Sequence, residues 1–136
     1  MINQTVPKPN NPAAPALAAA GMPVPAGTAV ADERCAWHAR LKEGKADEYI
    51  RRHNELFWPE MTELFNQAGI RNYTIWLSGN ELFGYYECER GAAFASAAKT
   101  QSPVFARWSL YMRDLMETID PDGSTALPMR QVFRHP

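Results

Sequence analysis

Residues 72–89 read NYTIWLSGNELFGYYECE, and this stretch decides the fold. Its two halves, 72–78 and 82–89, are rich in aromatic and β-branched residues, which favour strands. The four residues Ser78-Gly79-Asn80-Glu81 between them have the small and polar character of a tight turn. We therefore predict a β-hairpin in the middle of the chain.

The segment before the hairpin has helical spacing over residues 43–68, and Gly69 is a plausible stop. Pro59 lies inside this segment, where it has no N–H to donate to a helix interior. Proline is nevertheless well tolerated in the first turn of a helix. We therefore predict a break near residues 54–58, with Pro59 opening a second helical piece.

The segments farther out complete the order of elements. Residues 92–117 have helical spacing with an interruption at 100–103, and residues 120–123 (DPDG) predict a loop. Residues 34–41 alternate apolar and polar side chains, which is typical of a strand, and residues 129–135 predict a final short strand. The order β-α-β-β-α-β indicates an α+β fold, a ferredoxin-like split β-α-β antiparallel sheet with its helices on one face.

This arrangement leaves the other face of the sheet uncovered. That face would display a mixture of charged and aromatic side chains: His38, Arg40 and, depending on the register, Trp76, Tyr85 and Glu87. Large mixed patches of this kind mark interfaces or binding sites. We therefore expect two sheets to pack face to face in a homodimeric α+β barrel.

The first 27 residues differ from the rest of the chain. They are rich in proline and alanine, contain no aromatic residue and have a single charged side chain, Lys8. Such a segment buries too little apolar surface to offset its ordering entropy, which predicts a disordered tail at 1–27 and one domain at 28–136. A secretory signal is disfavoured because prolines interrupt the apolar stretch and positive charges do not cluster before it. No stretch approaches the roughly 18–20 apolar residues of a membrane span, so no membrane partner is expected.

Charge and cysteine content limit the possible partners. Fourteen basic and fifteen acidic residues give a net charge of −1, and the absence of a basic stripe argues against a nucleic-acid partner. Cys35 and Cys88 lie in predicted strands, which suggests small buried apolar residues of a cytosolic protein, although a disulfide stays open. With no CxxC and no Cys/His cluster, we expect no metal site.

Tyr49 and His53 are the first candidates for chemistry. They are four residues apart and therefore lie on one face of a helix, one turn from each other. The same face carries apolar residues and should look inward: Ala46, Ile50, Phe57 and Leu64. A buried polar group without a partner costs roughly 1–3 kcal/mol, so the pair lines a pocket or is satisfied by the backbone. We favour the pocket, because Tyr49 shares the face and a predicted helix break follows His53. An imidazole in that pocket can give and take a proton near neutral pH.

Two further aromatic residues have both a packing and a binding interpretation. Tyr73 stands at the start of a predicted strand, and Trp108 is four residues from Met112 on a predicted helix. Core packing accounts for both. An indole could equally form a platform beneath a bound ring.

Five short motifs, in order, resemble those of the L-rhamnose mutarotase family. They are Tyr49-x-x-x-His53-Asn54, Trp58-Pro59-Glu60, Gly69-x-x-Asn72-Tyr73-x-Ile75, Phe83-x-x-x-Glu87 and Arg107-Trp108-x-x-Tyr111-Met112. The resemblance covers residues 34–136. It implies a homodimeric ferredoxin-like barrel that interconverts the α and β anomers of a free deoxyhexose, L-rhamnose or L-fucose, without a cofactor. The cysteines, as above, indicate the cytoplasm.

The resemblance also implies roles for single residues. His53 matches the family's catalytic acid, and Tyr49, Tyr73 and Trp108 match its sugar-binding positions. The chain departs from the family at Ser109, where a second tryptophan is usual, and in residues 55–58, where members usually have a proline after the Asn and one residue fewer.

Two other functions remain open on the sequence. A cofactor-free monooxygenase or cyclase of the same barrel type would use an apolar pocket, which could be lined by Trp76, Tyr85, Tyr86 and Phe94. A non-catalytic sugar-binding module would bind the same ligand without turnover.

Overall fold

The computed structural model describes residues 33–136, and the predicted tail at 1–27 lies outside this range. The elements follow the predicted order, and each of the two predicted helical segments consists of two helices. They are β1 (Glu33–Arg40), α1 (Ala46–Asn54), α2 (Pro59–Gln67), β2 (Ile70–Ser78), β3 (Glu81–Cys88), α3 (Ala92–Thr100), α4 (Pro103–Met112), a 3₁₀ turn (Arg113–Leu115) and β4 (Ala126–Met129).

Proline and serine set the helix starts. Pro59 and Pro103 stand in the first turns of α2 and α4, as expected for a residue without an N–H. Ser102 caps α4, because its hydroxyl accepts a hydrogen bond from the Phe105 N–H at 3.2 Å. The predicted break after α1 is therefore confirmed.

The four strands form one antiparallel sheet in the order β2-β3-β1-β4. The predicted turn connects β2 to β3, with Gly79 in the left-handed region at φ 63°. On one face, side chains of the three longer strands are buried beneath the helices: Cys35, Ala39, Ile70, Leu82 and Cys88. On the other face Trp76 is 67 % exposed. The α+β class with helices on one face is confirmed.

A bulge in β2 decides which residues of that strand face inward. The pairing with β3 shifts between Arg71 and Thr74, so that Asn72 and Tyr73 together occupy the space opposite a single residue. Asn72 adopts a positive φ of 50°, which asparagine tolerates better than most residues. As a result Tyr73, rather than Asn72, points to the helix-covered face.

Three expectations about the elements are wrong. The last strand is Ala126–Met129, not residues 129–135, because Pro128 can sit in an edge strand paired with β1. The second helical segment ends by Leu115, not at residue 117, because Met116 forms a bridge with Leu41. Ile50 is 48 % exposed, because it is rotated about 100° around α1 from the inward-facing Tyr49.

Candidate active site

A cavity of about 340 Å³ lies between the helices and the inner face of the sheet. Its lining includes all four residues predicted from the sequence: Tyr49, His53, Tyr73 and Trp108. Ligand cavities commonly begin at about 300 Å³. The predicted residues, far apart in sequence, therefore share one site of sufficient size for a small molecule.

The end of α1 positions His53. The helix stops at Asn54, and the chain turns into α2 at Pro59. The rings of Tyr49 and His53 are one helical turn apart, with centroids separated by 4.3 Å. His53 therefore stands where the helix ends and the cavity begins.

The hydrogen bonds of His53 define its tautomer. Nδ1 lies 3.0 Å from the carbonyl oxygen of Tyr49, and since a carbonyl can only accept, Nδ1 carries the hydrogen. In the neutral imidazole, Nε2 then carries a lone pair, and it has no hydrogen-bond partner among residues 33–136. Burial lowers the pKa of His53 below its ordinary value of 6.5, outweighing the opposing effect of the hydrogen bond to Tyr49. His53 thus offers a proton-accepting nitrogen at neutral pH.

Aromatic rings surround this imidazole. The edge of Trp108 meets His53 at 5.3 Å between centroids, and Phe57 stacks on His53 at 5.9 Å. Trp108 also contacts Phe57 and Trp58, each at 5.1 Å. Edge-to-face contacts at these separations are favourable for aromatic rings, so the ring of His53 is held in a fixed orientation.

Trp37 is a cavity residue that the sequence argument missed. Its indole Nε1–H donates a hydrogen bond to the hydroxyl oxygen of Tyr73 at 3.0 Å. The indole lies against Gly84 on the neighbouring strand, where a Cβ would stand only 2.0 Å from the ring. Because Tyr73 accepts from Trp37, its own O–H proton remains available to a ligand. The apolar position of Trp37 in an alternating strand concealed this role.

The two tyrosines act as neutral hydrogen-bonding groups. Burial raises the pKa of Tyr73 to about 12, with the hydrogen bond from Trp37 opposing the shift. Burial also raises the pKa of Tyr49. Both phenols therefore stay protonated at neutral pH, which leaves His53 as the group near them that can take up a proton.

A second polar cluster lies in the wall of the same cavity. The Lys99 ammonium donates to the hydroxyl of Tyr86 at 3.0 Å, and the sulfur atoms of Cys35 and Cys88 are 4.0 Å apart with both thiols free. The Tyr86 ring touches that of Tyr73, with centroids 4.9 Å apart. Lysine was not among the predicted site residues, because its position near the end of a helix is typical of a solvated side chain.

Comparison with known proteins identifies the family. The family model described as L-rhamnose mutarotase matches residues 34–135. The chain belongs to the L-rhamnose mutarotase family. As a member of this family it is a carbohydrate isomerase, and the family resemblance seen in the sequence is confirmed.

Relatives and a solved structure agree with this assignment. The L-rhamnose mutarotase of Lachnoclostridium phytofermentans is 39 % identical over 102 residues, covering 74 % of this chain and 95 % of the relative. That of Jannaschia sp. is 35 % identical over 104 residues, covering 76 % and 99 %. The crystal structure of an L-rhamnose mutarotase from Formosa agariphila aligns with a TM-score of 0.62 at 27 % identity, covering 76 % of this chain and 99 % of that one.

The two departures from the mutarotase pattern both lie at the cavity. Ser109 lines it beside Trp108. In the longer segment after Asn54, Phe57 stacks on His53 and Trp58 packs against Trp108. Residues of this segment therefore supply part of the aromatic surround of the imidazole.

The described part of the chain offers neither a metal-binding cluster nor a membrane-spanning helix. Among residues 33–136, no group of three or more His, Cys, Asp or Glu side chains could hold a metal ion. None of the helices in this range is long and apolar enough to cross a membrane.

Proposed function

We propose that this protein interconverts the α and β anomers of free L-rhamnose, with His53 as the group that moves the proton. The observation that carries the proposal is the unpaired Nε2 of His53, on a side chain that lines an aromatic cavity together with two protonated phenols. Membership in the L-rhamnose mutarotase family supplies the reaction class and the sugar.

In the proposed reaction His53 transfers one proton in two steps, from the anomeric hydroxyl to itself and then to the ring oxygen. Anomer exchange breaks the bond between the anomeric carbon and the ring oxygen, which requires loss of the anomeric hydroxyl proton and protonation of the ring oxygen. Neutral His53 would accept the hydroxyl proton at Nε2, and the resulting imidazolium would deliver it to the ring oxygen. The open-chain aldehyde then rotates, and reclosure runs the same transfers in reverse.

The other site residues would hold the sugar during this exchange. Tyr73, with its oxygen occupied by Trp37, would donate its O–H to a sugar oxygen. The Trp108 indole would pack against the C–H groups of the ring, and Tyr49 would bind a further hydroxyl. General acid–base catalysis contributes typically 10²–10⁴-fold, which is sufficient for a reaction that already proceeds in water.

Saturation exchange between the anomeric protons of L-rhamnose, measured by NMR, tests the proposal. We expect His53→Asn to lower the enzyme-enhanced exchange about 10²-fold or more. The matched control is His135→Asn at the exposed C-terminal end, which should keep full activity. Absence of enhanced exchange in the unaltered protein would refute the function, whereas full activity in His53→Asn would refute the role of His53.

The same measurement addresses the alternatives and the choice of sugar. The apolar pocket of a monooxygenase or cyclase is disfavoured, because Tyr86 faces the cavity while Trp76 and Phe94 are exposed. A binding module would retain sugar affinity and show no exchange. We expect L-rhamnose to exchange faster than L-fucose, and the reverse order would indicate that Ser109 has changed the preference.

We also propose a homodimer in the cytoplasm. The uncovered sheet face carries Trp76 and Phe83, which stand directly opposite each other on neighbouring strands and are both exposed. An exposed aromatic patch of this kind favours an interface. Trp76→Glu should shift sedimentation toward the monomer, while Leu110→Glu, on a helix, should not. The two free buried thiols favour a reducing compartment.

A further inference from the structure

Lys99 is a cation placed in the wall of the catalytic cavity. It lies near the end of α3, and its ammonium reaches back under the helix layer to the hydroxyl of Tyr86. The ammonium also lies 4.7 Å from the ring centroid of Tyr86 and 5.5 Å from that of Phe105. Two aromatic rings, one phenol oxygen and the sulfur atoms of Cys35 and Cys88 therefore lie around it.

No carboxylate neutralises this cation within residues 33–136. The ion pairs of the described residues involve Arg40, Arg51, Arg52 and Arg71 but not Lys99. Burial lowers the pKa of Lys99, and the only groups opposing this shift are the thiols Cys35 and Cys88. An ammonium has three N–H donors, and Tyr86 accepts one of them. A buried charge is normally paired, and besides the two sulfur atoms the described residues offer Lys99 no anionic partner.

The position of Lys99 relative to His53 indicates where that anion would come from. Both side chains line the same cavity, and so do Tyr73 and Tyr86, whose rings are in contact at 4.9 Å between centroids. A ligand with its reactive carbon at His53 could therefore bring a negatively charged substituent to Lys99.

We propose that Lys99 forms a carboxylate subsite, so that the cavity also accepts hexuronates, sugars in which the last carbon is a carboxylate. The inference rests on the proposed anomer exchange and extends its substrate class. A 6-deoxyhexose and the hexuronate of the same configuration have the same ring and differ only at C6, which is a methyl group in one and a carboxylate in the other. A single ammonium balances one carboxylate, whereas a phosphate dianion would leave an uncompensated charge against aromatic walls.

Two measurements on one panel test the subsite. The panel contains L-rhamnose and five hexuronates: L-mannuronate, which has the ring configuration of L-rhamnose, and D-glucuronate, D-galacturonate, D-mannuronate and L-guluronate. Anomeric exchange is measured by NMR for the unaltered protein, Lys99→Met and Lys99→Gln. Hexuronate binding is measured by calorimetry for His53→Asn and for the double variant His53→Asn/Lys99→Met, so that the dependence of binding on Lys99 is seen directly. Lys99→Gln keeps N–H donors and removes the charge, and it is the test variant if Lys99→Met fails to fold. Lys42→Met, at an exposed position, is the matched control.

The expected result separates the two sugar classes. At least one hexuronate should show enhanced exchange that falls about 10- to 100-fold in Lys99→Met, since a hydrogen bond to a charged group is lost. L-Rhamnose exchange should fall by a clearly smaller factor than hexuronate exchange, because its C6 methyl makes no charged contact.

Three outcomes would overturn the subsite. The first is that no hexuronate binds or shows enhanced anomeric exchange. The second is that Lys99→Met lowers the exchange of L-rhamnose and of hexuronate equally. The third is that Lys42→Met lowers hexuronate exchange as much as Lys99→Met does. Failure of the proposed function has a different signature, namely hexuronate binding that depends on Lys99 with no enhanced exchange of any sugar.

Discussion

Gly84→Ala should destabilise the protein and disturb the site, although alanine is normally the better residue in a strand. Gly84 has ordinary extended backbone and stands opposite Trp37 in the sheet. A Cβ built on it meets three indole atoms of Trp37, Cε2 at 2.0 Å, Nε1 at 2.2 Å and Cζ2 at 2.4 Å. Non-bonded heavy atoms settle at about 3.5–4.0 Å, so the indole must retreat by roughly 1.5 Å.

The magnitude follows from three contributions. Overpacking costs about 1–3 kcal/mol. The hydrogen bond from Trp37 to Tyr73, now 3.0 Å, would be lost, for a further cost of about 1 kcal/mol. Replacing glycine by alanine at a compatible backbone conformation stabilises the protein by about 0.4–1 kcal/mol, because it lowers the conformational entropy of the unfolded chain. The net loss of unfolding free energy is about 2 kcal/mol, which lowers the midpoint of thermal unfolding by about 8–16 °C in a domain of this size.

Urea denaturation followed by circular dichroism measures this loss, and a double-mutant cycle assigns it to the indole. In a Trp37→Leu background the clash is absent, so Gly84→Ala should cost less than about 0.5 kcal/mol, giving a coupling of roughly 2 kcal/mol. A Gly84→Ala protein within about 0.5 kcal/mol of the unaltered one would refute the packing argument. So would a cost of the same size in both backgrounds.

Two further predictions use the charged groups around the site. The folded-state pKa of His53 lies below 6.5, so the unfolded chain binds the proton more readily than the folded protein. The neutral imidazole therefore contributes to the unfolding free energy. This contribution is fully present above pH 6.5 and is lost as the pH falls through the lowered folded-state pKa. Urea titrations at pH 7.5 and 5.0 should therefore show a smaller acid-induced loss in His53→Asn than in the unaltered protein, and an equal loss would contradict the pKa direction. Arg52→Met should lower the unfolding free energy by about 1 kcal/mol, because the Tyr111 carbonyl loses its donor at 2.8 Å. The exposed Arg51→Met, which removes only a surface pair with Glu48, serves as its control and should leave the thermal midpoint unchanged.

The parts of the fold that depend on local rules could be predicted from the sequence. Pro59 determines the helix break and the turn at residues 78–81 determines the hairpin, because each acts through its own backbone. The last strand could not be placed, since only its position at the sheet edge makes Pro128 acceptable. Exposure of Ile50 depends on how α1 is rotated against its neighbours, which helical spacing does not specify.

The candidate site was predictable only in part, for a related reason. Tyr49 and His53 can be identified from the sequence, because they are polar residues on an apolar helix face. Trp37 and Lys99 gave no such signal, because an indole in a strand and a lysine near a helix end are ordinary. Their roles arise from long-range contacts, with Gly84 beneath the indole and Tyr86 beside the ammonium.

The polar residues of the cavity lie where regular structure is interrupted. His53 is in the last turn of α1, Tyr73 follows the bulged Asn72, and Lys99 is one residue from the end of α3. Regular helices and strands pack most closely with apolar side chains, whereas an inward polar group needs space and a partner that an irregularity supplies. Asn72 is therefore as important to the site as a residue that touches the ligand, because without its left-handed conformation the strand would turn Tyr73 away from Trp37.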